Sequence, residues 1–316
     1  MFRYLMGQLI HASLVVLGVT SLVFGLLHLA GDPLAGLLPP GSSPQQETAI
    51  RQVYGLDKPL SEQYARFLGR AARGDLGESW RQRRPALDAV LDRLPATLAL
   101  TAGATLVAVI VGGALGMLAG SQPGRSVDVA VRGLALLGQA IPGFWLGTLL
   151  MLLFAVRLGW LPSSGGDDRR ALVLPVVTLA AYPTATIARL LRASLLDVMG
   201  EDFVRTARGK GLSERAVVVG HAFRNALLPT LAYVGYQVGF LLGGAVVVEA
   251  VFAYPGVGRL ALTAVADRDL PVIQAFVVVM AGLIVVVGIA VEVAARLLDP
   301  RLGTGQPDAA LAASWR

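Results

Sequence analysis

Six stretches of this chain run close to spanning length on little besides Leu, Val, Ala, Ile and Gly. They lie at about Gln8–Ala30, Ala96–Ala119, Gly133–Val156, Ala171–Leu191, Thr230–Phe252 and Val272–Leu297. A helix of roughly 20 such residues matches the thickness of a bilayer's hydrocarbon core. Lipid offers the backbone no water, so each run is expected to close its own hydrogen bonds as a helix. The expected fold is an all-α membrane protein with six transmembrane helices. The chain is 55% hydrophobic and 15% charged, with a mean hydropathy of +0.64, far from the balance of a soluble domain.

The first run follows Arg3, as a secretory signal would. It exceeds the usual ~7–15 apolar residues of such a signal and ends without a clear A-x-A site, so a retained first helix is expected. Pro175 and Pro183 in the fourth run are expected to kink it, because proline removes a backbone donor. Gly112-Gly113-x-x-Gly116 and Gly239-x-x-x-Gly243-Gly244 place small residues where helix backbones can approach closely.

Orientation follows from the basic residues of the short connections. With the N terminus inside, the inner connections carry Arg125, Arg132, Arg189, Arg192, Arg205, Arg208, Lys210, Arg215, Arg224, Arg296 and Arg301. The outer ones carry only Arg157, Arg169, Arg170, Arg259 and Arg268. Both termini are therefore expected in the cytoplasm. The connection Gly31–Pro95 is also Arg-rich, but loops of about 60 residues or more translocate largely regardless of charge.

The expected layout is an N-terminal transmembrane helix (1–30), an extracytoplasmic subdomain (31–95), a five-helix core (96–300) containing a cytoplasmic loop (193–229), and a tail (301–316). Within the subdomain, Asp32-Pro33 and Pro39 to Pro44 punctuate a turn-rich piece, and helices are expected around Glu47–Tyr54 and Ser61–Ala72.

Several chemistries are excluded. With no cysteine there is no disulfide, thiolate nucleophile or Cys-ligated zinc. His11, His28 and His221 are too scattered for a metal site, and no span holds H-E-x-x-H or clustered carboxylates, so no catalytic residue, cofactor or metal is expected. The net charge of +6 reads as membrane orientation and not as nucleic-acid binding. An ion-driven secondary transporter would need ionisable residues and paired interrupted helices in its spans, whereas the middle runs here are almost free of charge.

The sharpest break in the apolar pattern is "EDFVRTARGKGLSERAVVVGHAFRNALLP", Glu201 to Pro229. Acids precede bases, which suits a short helix and its dipole, with Arg205 spaced to pair with Glu201. Gly209 and Gly211 offer positive φ, Ser213 is placed to cap a second helix with a Leu212–Val217 staple, and Pro229 is expected to open the next span. The predicted form is helix, turn and helix at the membrane face. Contact with anionic lipid and docking of a partner both fit a basic amphipathic segment. A phosphate-binding loop does not fit, since Val204 stands where its first glycine belongs.

A second break, "EAVFAYPGVGRL", runs from Glu249 to Leu260. Pro255, Gly256 and Gly258 read as a tight turn, and Glu249 at a membrane depth demands a partner, expected to be a backbone amide or an arginine. Glu292 is expected to pair with Arg296 one turn on.

With these segments in view, the chain resembles the membrane-spanning permease subunits of binding-protein-dependent ABC importers, specifically the dipeptide/oligopeptide group. The resemblance rests on "GDP", "YGLDKPLSEQYARFLGRAARGDLGES", "EDFVRTARGKGL", "HAFRNALLP" and "VVVEAVFAYPGVGRL", in that order over nearly the whole chain. It implies the type I importer permease fold, with a sizeable extracytoplasmic loop between helices 1 and 2. It also implies that Arg205, Thr206, Ala207, Arg208, Gly209, Lys210, Gly211 and Leu212 form the loop that docks on an ATP-binding subunit. Ala207 matches the motif's second alanine and Gly211 its glycine. Arg205 replaces the motif's glutamate, and Leu228-Pro229 lies about five residues further on, as in the peptide-transporter version.

The resemblance further implies a second, similar permease, two ATP-binding subunits, an extracytoplasmic binding protein and surrounding membrane lipid as partners. The implied cargo is a dipeptide or oligopeptide, with nickel chelates or glutathione as alternatives. Glu249, Phe252, Pro255, Gly256 and Gly258 would then line an outer gate, and ATP hydrolysis would belong to the partner subunits.

Overall fold

The computed structural model describes residues 2–29, 43–165 and 168–298. The motif "GDP" and the tail 301–316 lie outside them, as do the side chains of His11, His28, Glu292 and Arg296.

The described chain is helical, with one isolated antiparallel bridge, Glu78 to Pro85. α1 runs Phe2–Leu29, α2 Pro44–Tyr54, α3 Leu60–Ala71, α4 Ala86–Leu91 and α5 Leu94–Val107. A π-helical turn, Ala108–Gly112, carries α5 without a break into α6, Gly113–Ser121. α7 (Ser126–Ala140) and α8 (Gly143–Leu150) follow, with α8 extended by a π turn to Arg157. Then come α9 (Val173–Met199), α10 (Asp202–Gly209), α11 (Glu214–Ala216), a π turn at Val217–Ala222, α12 (Phe223–Val251), α13 (Val257–Ala266) and α14 (Leu270–Leu298).

The stretches Ala86–Ser121, Arg170–Met199, Glu214–Val251 and Leu270–Val291 are each long and apolar enough to cross a membrane. The third apolar run departs from the single helix expected of it. α7 and its continuation from Gly143 are bent by 104°. The cause is Pro142, which lacks a donor and sits at φ −59°, ψ 134° as the cap of α8. The other prolines behave differently. Pro175 falls in the first turn of α9, where no donor is needed, while Pro183 lies inside an unbroken α9. Pro229 does not open a span but lies within α12, which is continuous with the preceding Glu214.

Contacts divide the chain into two units: residues 1–104, 141–180 and 241–285, and residues 105–140, 181–240 and 286–316. In the first, Ser43 caps α2 with a full capping box and Pro44 at its first turn, while the α3 residues Tyr64 and Phe67 pack on Phe24 of α1 with ring centroids 5.2 and 6.0 Å away. Helix is therefore found at both places in the subdomain where periodicity predicts it.

In the second unit, Gly112, Gly116 and Gly120 form one face laid on α9. A Cβ there would come within 2.7 Å of the Thr184 carbonyl oxygen, 2.8 Å of the Ala188 carbonyl oxygen and 2.9 Å of Leu195 Cδ2, respectively. Only glycine permits that approach. In the first unit, Gly243 faces no atom within 4 Å, while a Cβ at Gly244 would meet Leu179 Cδ1 at 3.4 Å. The second unit also uses Gly235, where a Cβ would overlap Val291 of α14.

Candidate functional site

The polar loop between α9 and α12 is a helix and a bend. α10 buries Val204 and Ala207, three residues apart on one face, in a cluster with Leu191 and Leu195 of α9 and with Val217, Val218, Ala222 and Ala226. Its other face is open. Phe203 is 43% exposed and Leu212 41%, and Arg205, Thr206, Arg208, Gly209, Lys210 and Gly211 are all exposed. Two apolar side chains held in a basic, solvent-facing surface are the makings of a docking patch.

Local chemistry sets the bend. Gly211 has φ +78°, and its amide donates to the Arg208 carbonyl at 2.9 Å. Gly209 is the last residue of α10 and does not share that conformation. Ser213 caps α11, accepting from the Ala216 amide at 3.3 Å. Arg208 then closes the turn with a two-pronged bond to Glu214, at 2.7 and 3.3 Å. Arg205 does not reach Glu201; it lies 3.6 Å from Asp202 instead, one turn away on the same helix. The extra residue of the π turn at Val217–Ala222 re-aims the chain as it enters α12.

Anchoring lies directly behind this loop. The buried Asp128 of α7 takes a fork from Arg192 of α9, at 2.5 and 2.8 Å, and accepts the Gly124 amide at 2.9 Å. Arg132 lies 3.5 Å away. Sequence reasoning missed this pair and counted Arg192 only as an orienting charge. The available signal was an acid at the start of a span-forming run, which needs a basic partner.

The "EAVFAYPGVGRL" corner is built around Glu249, which is fully buried. Its carboxylate accepts from Thr97 Oγ1 at 2.5 Å and from the amides of Gly258 and Arg259 at 2.7 and 3.1 Å. Thr97 in turn accepts the Val257 amide at 2.9 Å. Together they satisfy the first amides of α13, which would otherwise be orphaned, and the acid meets the positive end of that helix. The partner expected for Glu249 is thus a pair of backbone amides, with Thr97 added. Gly256 is required for contact reasons, since a Cβ there would lie 2.1 Å from Glu249 Oε1; at Gly258 it would lie 2.5 Å from Val246 Cα.

Phe252 is buried, with its ring on Gly147 of α8 beside Thr178. Ala253 adopts φ +49° to end α12, and Arg259 reaches back to its carbonyl. Burial pushes the Tyr254 phenol above its usual range, and the neighbouring Glu249 charge adds to this.

A second buried acid was not singled out by the sequence. Asp269 accepts from Ser79 Oγ at 2.5 Å and from the amides of Trp80 and Arg81 at 3.2 and 3.3 Å. It ties the loop before α4 to the turn before α14 across 190 residues of sequence. Nothing local marks that pairing. Among the described residues no group of His, Asp and Glu could hold a metal.

Residues 112–304 match the family described as "Binding-protein-dependent transport system inner membrane component", and residues 1–101 match that family's N-terminal region. Over 303 residues the chain is 40% identical to the glutathione transport system permease protein GsiC of Escherichia coli K12, covering 96% of this chain and 99% of the relative. The protein of the same name from Salmonella paratyphi A gives the same figures. Among solved structures, an amino acid ABC transporter crystallised with histidines matches with a TM-score of 0.51 at 18% identity, over 68% of this chain and 94% of that one. The MetNI methionine ABC transporter in an inward-facing form matches with a TM-score of 0.51 at 19% identity, over 66% and 94%.

Proposed function

The chain belongs to the inner-membrane components of binding-protein-dependent transport systems, as a peptide-type ABC importer permease, and on that premise we propose that it works as one half of a paired permease driven by two separate ATP-binding subunits. It is a multi-pass membrane protein and not itself an enzyme. An extracytoplasmic binding protein delivers the cargo, and both termini lie in the cytoplasm.

The observation that carries the coupling role is the two-faced α10. Val204 and Ala207 seat it on Leu191 and Leu195 of α9, while Phe203, Arg205 and the Leu212 just beyond it are exposed to meet an ATPase. A push on that open face reaches α9 through close packing, which transmits displacement because it has no slack. The Asp128–Arg192 fork then passes it to α7. The docking surface is Arg205 to Leu212, with Phe203 as an apolar anchor.

At the α12–α13 corner, Glu249, Phe252, Pro255, Gly256 and Gly258 form the fixed frame of the outer gate, beneath the docked binding protein. The cargo is a short peptide. Glutathione is itself a tripeptide, and the identity to glutathione permeases supports it as one such cargo. The test is to purify the complex with its binding protein, identify the ligand that the binding protein holds, and measure ATP-driven uptake of that ligand in proteoliposomes. Uptake without ATP, or by this chain alone, would overturn the reading.

A further inference from the structure

Arg189 sits inside the apolar α9, more than two turns before its end at Met199. Its neighbour one turn on, Arg192, is neutralised by Asp128. Arg189 is exposed and has no ion-pair partner among the described residues. Instead its Nη1 donates to Gln139 Oε1 of α7, and Gln139 Nε2 donates to Thr186 Oγ1 at 3.0 Å, one turn back on α9. α9 belongs to a stretch long and apolar enough to cross a membrane, and a charge on such a helix without an acid partner is costly wherever it meets lipid, so such groups face a bundle interior or a watered path.

The bond to Gln139 uses one of the guanidinium's five donors and fixes its plane, leaving a second edge free for a two-pronged acceptor. Two turns back on the same face of α9, Tyr182 is 48% exposed. Its ring lies 6.5 Å from that of Phe240 on α12, which is 62% exposed, and Tyr236, one turn before Phe240, is 74% exposed. An exposed cation without an acid partner, with an open aromatic cluster that begins two turns back on the same face of α9, describes a surface for an anion that also carries apolar groups.

We propose that Arg189 is an anion-binding residue of the translocation path, taking the carboxylate of a peptide cargo while Tyr182, Tyr236 and Phe240 contact its apolar parts. This inference rests on the importer reading above. Gln139 and Thr186 are positioning residues that hold the guanidinium.

The test uses the complete complex in proteoliposomes with its binding protein, and two probes: trialanine and trialanine C-terminal amide. Uptake of each is divided by wild-type uptake of the same probe, so that the binding protein's own preference cancels. Arg189→Gln is expected to lower the free-acid probe about tenfold and the amide less than twofold, and Arg189→Lys to recover most of the free-acid loss. Gln139→Leu is expected to raise the KM for the free acid without a matching fall in kcat. Equal losses of both probes in Arg189→Gln, or no loss of either, would overturn the assignment. A wild-type complex that moves neither these probes nor glutathione would overturn peptide as the cargo class, and this inference with it; in one that moves glutathione alone, Arg189→Gln is expected to lower glutathione uptake, and undiminished uptake would overturn the assignment.

Discussion

The α12–α13 corner and the α10–α11 turn are both glycine-containing bends that interrupt apolar sequence, yet they solve opposite problems. At the corner, glycine is needed for room: a Cβ at Gly256 would lie 2.1 Å from a carboxylate oxygen that is itself fully buried. At the turn, glycine is needed for its dihedral: Gly211 has φ +78° and no atom within 4 Å of where its Cβ would stand. One bend is closed by buried hydrogen bonds and the other lies open with its polar groups in solvent. Rigidity belongs to the first and accessibility to the second.

The largest effect expected from that contrast is at the corner. Gly256→Ala and Gly258→Ala should abolish accumulation of folded permease, because the clashing atoms are a bonded carboxylate and a helix backbone. Gly211→Ala should accumulate normally; yields after detergent extraction and size exclusion check both. If Gly256→Ala accumulates like wild type, the corner is looser than its contacts imply.

Next comes Glu249→Gln, which can keep its one oxygen for the Gly258 and Arg259 amides, both bonded to Oε2, but then sets an NH2 against the Thr97 hydroxyl that donates to Oε1. A destabilisation of about 1–3 kcal/mol is expected from the unmet bonds, read as a lower thermal midpoint of the purified complex. Normal stability together with normal transport would remove Glu249 from both the frame and the gate.

At the turn, Gly211→Val forces a β-branched residue into the left-handed region at about 1–2 kcal/mol. The variant should assemble yet lose most ATP-driven uptake, and Gly211→Asn, which tolerates that region, should retain it. Undiminished uptake by Gly211→Val would mean that the bend does not couple. The smallest change belongs to Arg208→Ala, since its pair with Glu214 is exposed; a loss of no more than about 1 kcal/mol is expected, below what a melting curve of the complex resolves easily.

Much of the site was legible in sequence because its signals are local. Ser213 caps the helix that begins just after it, and Gly211 ends a turn, each within a few residues of its partner. The Arg205 partner was misplaced by a single residue, from Glu201 to Asp202, since both spacings put a carboxylate one turn away. The third apolar run reads as one helix on apolar length alone, a signal that does not register Pro142. Proline at 175, 183 and 229 leaves its helix unbroken, so the residue alone does not say where a chain will bend.

The sequence by itself determined that this chain lives in a bilayer, because runs of spanning length leave the backbone no alternative to helix. It also determined where the polar loop turns and that Glu249 must have a partner. Only the tertiary structure decided which groups those partners are: Thr97 lies 152 residues from Glu249, Arg192 lies 64 from Asp128, and Ser79 lies 190 from Asp269. The physical reason is that burial makes a partner obligatory, while the partner's identity depends on which helices pack side by side.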